Sequence, residues 1–243
     1  MRLRLDTQLV ARGLAPSREK AKRLILAGAV RVNGQVAAKP SDLVEETARL
    51  EVAAAEKYVS RGGHKLEAAL DSFGVSCQNA VCVDIGASTG GFTDCLLQRG
   101  ACRVHAVDVG KGQLYWRLRR DTRVTVHDEL NARNLRFADI GETAEIVTID
   151  VSFISLTKVL PAVAGLLKSG GTLIALIKPQ FEAGRKFVKK GGVVRDSAVR
   201  EQVKMKVTEF ATTELGLRLL GVVDSPLLGP AGNKEFLIGL VKP

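Results

Sequence analysis

No stretch of this chain reaches the ~18 consecutive apolar residues that a membrane-spanning helix needs. The longest candidate, around Leu160–Ile177, is broken by Lys168, Ser169, Gly170 and Gly171. The opening residues, Met-Arg-Leu-Arg-Leu-Asp-Thr, lack the apolar centre of a secretory signal. Cysteine is scarce. Cys77, Cys82, Cys95 and Cys102 show no Cys-x-x-Cys spacing and no paired histidines, so no metal is expected. In a chain of 243 residues, four such thiols predict reduced core side chains in a reducing compartment. There is no internal repeat. These absences predict a cytoplasmic protein with no membrane among its partners.

Positive charge is in excess. The composition, 46% hydrophobic and 26% charged, is ordinary for a globular protein, yet the net charge is +10. Residues 1–39 hold nine bases (Arg2, Arg4, Arg12, Arg18, Lys20, Lys22, Arg23, Arg31 and Lys39) against Asp6 and Glu19, so +7 of the +10 lies there. Scattered bases would only describe a solvated face. Bases gathered at one end point to a polyanion such as nucleic acid.

The same segment has a regular pattern. Leu3, Leu5, Leu9, Val10 and Leu14 predict a short helix closed by Gly13 and Pro16. Ser17 is placed to cap a second helix, Arg18–Ala27, which Gly28 ends. Its apolar stripe is Ala21, Leu24 and Ile25, and its remaining surface is basic. Val30 to Val36 alternates around Asn33-Gly34, a hairpin signal, and Leu50–Val52 adds a last strand. The motif Ser17-Arg18-x-x-Ala21-x-x-Leu24-Ile25, followed by Gly28-x-Val30-x-Val32-Asn33-Gly34, resembles the S-four RNA-binding domain of a ribosomal protein and of pseudouridine synthases. The resemblance implies a small α+β RNA-binding domain over 1–56, with Arg4, Arg18, Lys20, Lys22, Arg23 and Arg31 on RNA backbone. Such bases neutralise phosphates without reading sequence. Residues 57–63 read as a linker.

From residue 64 to 243 the chain alternates strands and helices. Strand candidates are 80–85, 102–107, 124–127, 146–150, 172–177, 217–223 and 235–241. Helix candidates include 93–99, 156–167 and 197–215. Apolar strands separated by helices predict a mostly parallel sheet covered on both faces, an α/β Rossmann-like domain of seven strands. The last two strands follow one another through a Gly/Pro turn without a helix, so the last should be antiparallel.

Val81 to Thr93 reads as apolar strand, Gly-rich turn and helix start. No Gly-Lys-Ser/Thr closes it, so it is not a P-loop, and its glycine spacing is not the pyrophosphate fingerprint. Asp108 ends the next strand, where a carboxylate can accept both hydroxyls of a ribose. An acid before the turn and an acid after the second strand suit a nucleoside ligand without a pyrophosphate. S-adenosylmethionine is such a ligand, with Asp84 near its amino group. The cofactor candidates of this segment and the next strand end are Asp84, Gly86, Ser88, Gly90, Gly91, Phe92, Asp108 and Val109.

Four further polar residues fall at element ends: Lys65 at the helix before the first strand, Asp150 after the fourth, Lys178 after the fifth and Glu235 at the start of the last. Methyl transfer to a ribose hydroxyl needs that hydroxyl deprotonated. A lysine can take the proton when a neighbouring cation and partial burial destabilise its ammonium. The order Lys–Asp–Lys–Glu matches the tetrad of the FtsJ-like RNA 2′-O-methyltransferases. With the N-terminal module, the chain resembles more closely still the TlyA family, whose members are called hemolysins and ribosomal RNA cytidine-2′-O-methyltransferases. Matching segments are Tyr58–Leu66, Asp84–Thr93, Asp108–Leu114, Asp150–Leu156, Lys178–Glu182 and Gly229–Glu235. One segment departs: Asp128-Glu129-Leu130-Asn131-Ala132-Arg133 stands where a Glu-Arg-Thr-Asn-like run is expected. The resemblance implies cofactor contacts at Gly86, Ser88, Gly90, Asp108 and Asp128, the last toward the adenine amino group. It also implies Lys178 as base, Asp150 and Glu235 as orienting acids, Lys65 as partner cation, and ribosomal RNA or a ribosomal subunit as substrate. The competing functions are a non-catalytic RNA-binding or assembly factor and a membrane-active hemolysin.

Overall fold

The computed structural model describes residues 2–53, 56–189 and 191–243. The chain folds as two compact units, Met1–Lys57 and Tyr58–Pro243.

In the first unit, β1 (Arg2–Arg4) leads directly into α1 (Leu5–Ala11), and α2 (Arg18–Leu26) follows. Ser17 lies in extended backbone (φ −157°) and its side chain accepts the Lys20 N–H at 3.2 Å, satisfying one of the orphan donors of the first turn. Then come β2 (Val30–Val32), β3 (Gln35–Val36), β4 (Leu43–Glu45) and β5 (Leu50–Val52). Asn33 and Gly34 both have positive φ (51° and 83°), as a two-residue hairpin turn demands, and β2 pairs antiparallel with β3 and β5. Leu3 was expected in the first helix. It lies in β1, which pairs with β4. Leu5, Leu9, Ala21, Ile25, Val30 and Val44 form the core.

The second unit contains β6 (Val81–Ile85), β7 (Arg103–Val107), β8 (Val124–His127), β9 (Ala144–Ile149), β10 (Leu167–Ile177), β11 (Arg218–Asp224) and β12 (Phe236–Val241). They form one sheet in the order β11-β12-β10-β9-β6-β7-β8. Strands β10, β9, β6, β7 and β8 are parallel neighbours, and β12 runs against both β10 and β11. The helices are α3 (Gly62–Phe73), α4 (Gly91–Gln98), α5 (Trp116–Arg119), α6 (Phe137–Ile140), α7 (Leu160–Ala164), α8 (Pro179–Glu182) and α9 (Ser197–Glu209). Successive strand residues serve opposite faces. Val83, Ile85, Val147, Ile149, Leu173 and Ala175 pack with Leu160, Val163, Val203 and Val207 from α7 and α9. Cys82, Ile146, Ile174 and Leu176 pack with Leu66, Leu70, Cys95 and Leu96 from α3 and α4.

Three expectations change. Residues 58–63 do not read as a free linker: Tyr58 is buried, its ring fills the space above Gly63, and α3 already begins at Gly62. The helix expected over 156–167 is a 3₁₀ turn (Leu156–Lys158) followed by α7, and Leu167 already belongs to β10. The helix expected over 197–215 ends at Glu209 and widens into a π turn over Phe210–Glu214. The Thr212 hydroxyl there donates to the carbonyls of Thr208 and Glu209, and Thr213 donates to Glu209, so side chains compete for the ladder. Cys77, Cys82 and Cys95 are buried, whereas Cys102 is exposed. No helix among the described residues is long and apolar enough to cross a membrane.

Candidate active site

Strand register assembles the site. Ile85 lies opposite Val107 on one side and Ile149 on the other, and Ile177 lies opposite Phe236. Gly86, Asp108, Asp150 and Lys178 therefore leave their strands at one sheet edge. Because β12 is reversed, Glu235 enters at that same edge.

Two cavities open there. The first, about 530 Å³, is lined by Lys65, Asp150, Ser152 and Lys178 with Ser60, Arg61, Phe92 and Gly91. The second, about 440 Å³, is lined by Asp108, Val109, Leu130, Asn131, Ala132, Ile154 and Val159. Gly86, Ser88, Asp150 and Ser152 border both.

The tetrad is two ion pairs. Lys65 Nζ donates to Glu235 Oε2 at 2.5 Å, and both side chains are buried. Lys178 Nζ stands 2.6 Å from Asp150 Oδ1 and donates to Ser152 Oγ at 3.0 Å. Glu235 Oε1 is buried without a hydrogen-bond partner among the described residues and abuts Gly229, where a Cβ would stand 2.3 Å from it. Lys65 is not at the helix start but in the first turn of α3, behind Gly62 and Gly63.

Asp108 accepts the Ser88 N–H at 2.8 Å on one oxygen and the Gly110 N–H at 2.7 Å on the other. Ser88 holds a left-handed backbone (φ 48°), which turns its N–H toward that acid. The glycines of the turn serve the protein's own packing. A Cβ at Gly86 would stand 2.5 Å from the Asp150 carbonyl oxygen, and one at Gly90 (φ +98°) 2.3 Å from Leu118. At Gly91 it would meet the Ser60 hydroxyl. Gly90 thus backs onto Leu114 and Leu118 and borders neither cavity.

Two acids of the expected cofactor set do not face the cavities. Asp84 is fully buried, accepting the Thr93 hydroxyl at 2.7 Å and the Thr148 hydroxyl at 2.8 Å. It ties α4 and β9 to β6 from behind the turn. Burial pushes its carboxyl up to about 6 against the two threonine hydrogen bonds. Asp128 is claimed by Arg119 at 2.8 Å and by the Gly112 N–H at 3.2 Å, and the Arg119 hydrogen bond holds its carboxyl below the usual range. Sequence reasoning passed over Ser152, Asn131 and Phe153. Phe153 is 91% exposed beside the second cavity, has φ 64°, and its ring centroid lies 5.0 Å from that of Phe181. A bulky side chain in the left-handed region is a strained placement of the kind that gathers at functional sites.

The raised Asp84 carboxyl yields a testable pH effect. The unfolded chain releases this proton near 3.8 and the folded chain near 6, so the group's contribution to stability falls as pH rises through that window. Asp84→Asn should flatten that slope, since both hydroxyls can turn to suit an amide. Melting temperatures from pH 4 to 7 should show the variant gaining on wild type. A constant difference would mean that Asp84 ionises without cost.

In the first unit, the six expected RNA contacts separate into two groups. Arg4 and Arg18 reach the buried Asp6 at 3.0 and 3.2 Å, and the Arg4 hydrogen bond is the main reason its carboxyl is held down at about 2. Arg23 pairs with Glu19, and Arg31 donates to the Gly34 carbonyl at 2.9 Å. Lys20 and Lys22 are exposed on α2.

A parallel sheet with a reversed strand set between its last two members, and a cofactor-sized cleft at the strands' carboxyl edge, define a Rossmann-like methyltransferase. The FtsJ-like methyltransferase family matches residues 58–242, and the S4 domain family matches residues 3–50. The chain belongs to the TlyA family. It is 47% identical over 98% of its length to the 16S/23S rRNA (cytidine-2′-O)-methyltransferase TlyA of Mycobacterium tuberculosis, covering 90% of that protein. It is 43% identical over 97% of its length to Hemolysin A of Brachyspira hyodysenteriae, covering 98% of it. A solved structure of a candidate hemolysin from Streptococcus thermophilus superposes with a TM-score of 0.76 at 44% identity, covering 99% of this chain and 88% of that one.

Proposed function

We propose that this chain transfers the methyl group of S-adenosylmethionine to the 2′-hydroxyl of a cytidine in ribosomal RNA, in the cytoplasm and on a ribosomal subunit or its RNA. One observation carries the reading: the Lys65–Glu235 and Lys178–Asp150 pairs converge on a cavity that shares Gly86, Ser88, Asp150 and Ser152 with its neighbour. The relative named as an rRNA cytidine methyltransferase supplies the substrate class.

The residues present fit the cofactor. Each Asp108 oxygen accepts one backbone N–H and keeps a second lone pair for a ribose hydroxyl. Val109, Leu130, Ala132, Ile154 and Val159 form an apolar slot suited to adenine. Bound there, S-adenosylmethionine supplies an electrophilic methyl on a positively charged sulfur. Lys178 first gives an ammonium proton to solvent; its neutral Nζ then receives the ribose proton, while Asp150 and Ser152 hold that nitrogen in place. Lys65, locked by Glu235, presents a fixed positive charge to the hydroxyl as its oxygen gains negative charge. Phe153 offers an exposed ring on which the target base can stack. The first unit anchors RNA backbone through Lys20 and Lys22, with Arg4, Arg18, Arg23 and Arg31 adding to the field.

The test is to incubate unmodified ribosomal RNA with the protein and methyl-labelled S-adenosylmethionine, then digest to nucleosides. Label is expected in 2′-O-methylcytidine. Label on a base, or none in RNA, overturns the reading.

A further inference from the structure

We propose that the methyltransferase unit carries a second RNA-binding surface, centred on Trp116, which grips a strand of the substrate by base stacking and phosphate contacts. The inference rests on the RNA substrate proposed above. Residues 111–123, Lys-Gly-Gln-Leu-Tyr-Trp-Arg-Leu-Arg-Arg-Asp-Thr-Arg, hold five bases and one acid. The segment has an inner and an outer side. Leu114 and Leu118 are buried against Gly90. Tyr115, Trp116, Arg117, Arg119 and Arg120 are exposed, and Trp116, the chain's single tryptophan, is 54% exposed. A ring of that size is normally kept mostly from water, and an exposed one beside cations marks a contact surface more than a packing element.

The charges around the ring separate clearly. Arg119 is paired with Asp128 at 2.8 Å and Arg123 with Asp121 at 2.7 Å. Arg117 and Arg120 form no ion pair among the described residues. Their guanidinium carbons lie 5.3 and 5.5 Å from the Trp116 ring centroid, and the Tyr115 ring lies 5.9 Å away. Two cations are thus held at an aromatic face with no anion to answer them. A nucleic acid strand supplies both missing partners: phosphates for the guanidiniums and a base for the ring. An acidic protein surface would answer the charge but leave the ring without a flat partner. None of these residues lines either cavity, so the surface is separate from the methyl-transfer site. It is nevertheless fastened to the glycine turn, because the Tyr115 N–H donates to the Thr89 carbonyl at 3.1 Å.

The test uses the full chain and an in-vitro transcribed ribosomal RNA fragment that wild type methylates. Three variants are compared: Trp116→Ala, Trp116→Phe, and Arg117→Gln with Arg120→Gln. Trp116→Ala should weaken RNA binding about tenfold, and Trp116→Phe, which keeps a stacking face, should recover most of that loss. The double arginine variant should flatten the dependence of log affinity on log salt by ~1.4, the loss of two phosphate contacts to a single strand. KM for RNA should rise in the weakened variants, with kcat and calorimetric S-adenosylmethionine affinity unchanged. Wild-type affinity and salt slope in both Trp116→Ala and the double variant overturn this surface and leave the methyltransferase reading intact. Variants normal on naked RNA but defective on ribosomal particles would assign the surface to a protein partner, which also overturns it. A wild-type protein that neither binds nor methylates RNA overturns both.

Discussion

Replacing Lys178 with alanine is expected to abolish methyl transfer while RNA and cofactor still bind. Lys178 Nζ is held by Asp150 at 2.6 Å and Ser152 at 3.0 Å on the wall of the larger cavity. A positioned base contributes on the order of 10²- to 10⁴-fold to rate. Its loss should fall on kcat, since the proton moves only in the transition state. Lys178→Arg keeps a positive charge beside Asp150 but cannot accept a proton, because guanidinium stays protonated. It should therefore be nearly as inactive as alanine. Single-turnover rates of the three proteins, followed across pH, make the comparison. Near-wild-type turnover of the arginine variant at neutral pH would rule out proton abstraction by Lys178 and leave it as a positioning charge.

Glu235→Ala should be the most destabilising single change at the site. Lys65 and Glu235 are both buried and 2.5 Å apart, so removing the carboxylate strands an ammonium out of water. Breaking a buried pair from one side costs about 3–5 kcal/mol, which for a domain of this size lowers Tm by roughly 10 °C. Removing both charges should cost much less. Lys65→Met with Glu235→Leu is expected to regain most of the lost stability and none of the activity. Additive losses in that double variant would mean the two side chains act independently and the pair has no coupling to explain.

The parallel strands were readable because strands buried on both faces are continuous apolar runs, and the Asn33-Gly34 turn and the Ser17 cap carry local signals that need no tertiary context. The ends of those strands gave the positions of Asp108, Asp150 and Lys178. The pairing within the tetrad was not readable. Lys65 finds Glu235 only because β12 is reversed beside β10, and Lys178 finds Asp150 because β9 and β10 lie side by side in parallel. The surroundings of Asp84 and Asp128 were hidden for one reason. A sequence shows that an acid ends a strand or follows it, but not that Thr93 and Thr148 enclose one and Arg119 claims the other. The glycines of the turn were recognised, yet their cause lies in Asp150, Leu118 and Ser60, which only the fold brings against them. Arg2–Arg4 is too short to show a period, so β1 was absorbed into the helix. Phe153 is a lone aromatic between two elements, and its exposure has no signature in the sequence.

Strand β12 follows every other strand in the chain yet sits inside the sheet, between β10 and β11. It brings Glu235 to Lys65 across 170 positions of sequence. Contacts of such span carry a large loop-closure cost and form slowly compared with local ones. A folding chain can therefore have its glycine turn, its β6–β9 core and its Lys178–Asp150 pair in place while β12 is still undocked. In that interval Lys65 has no counter-charge and β10 has an unpaired edge. The Lys65–Glu235 pair is therefore a mark of the finished topology, since it can close only when the last strand is inserted.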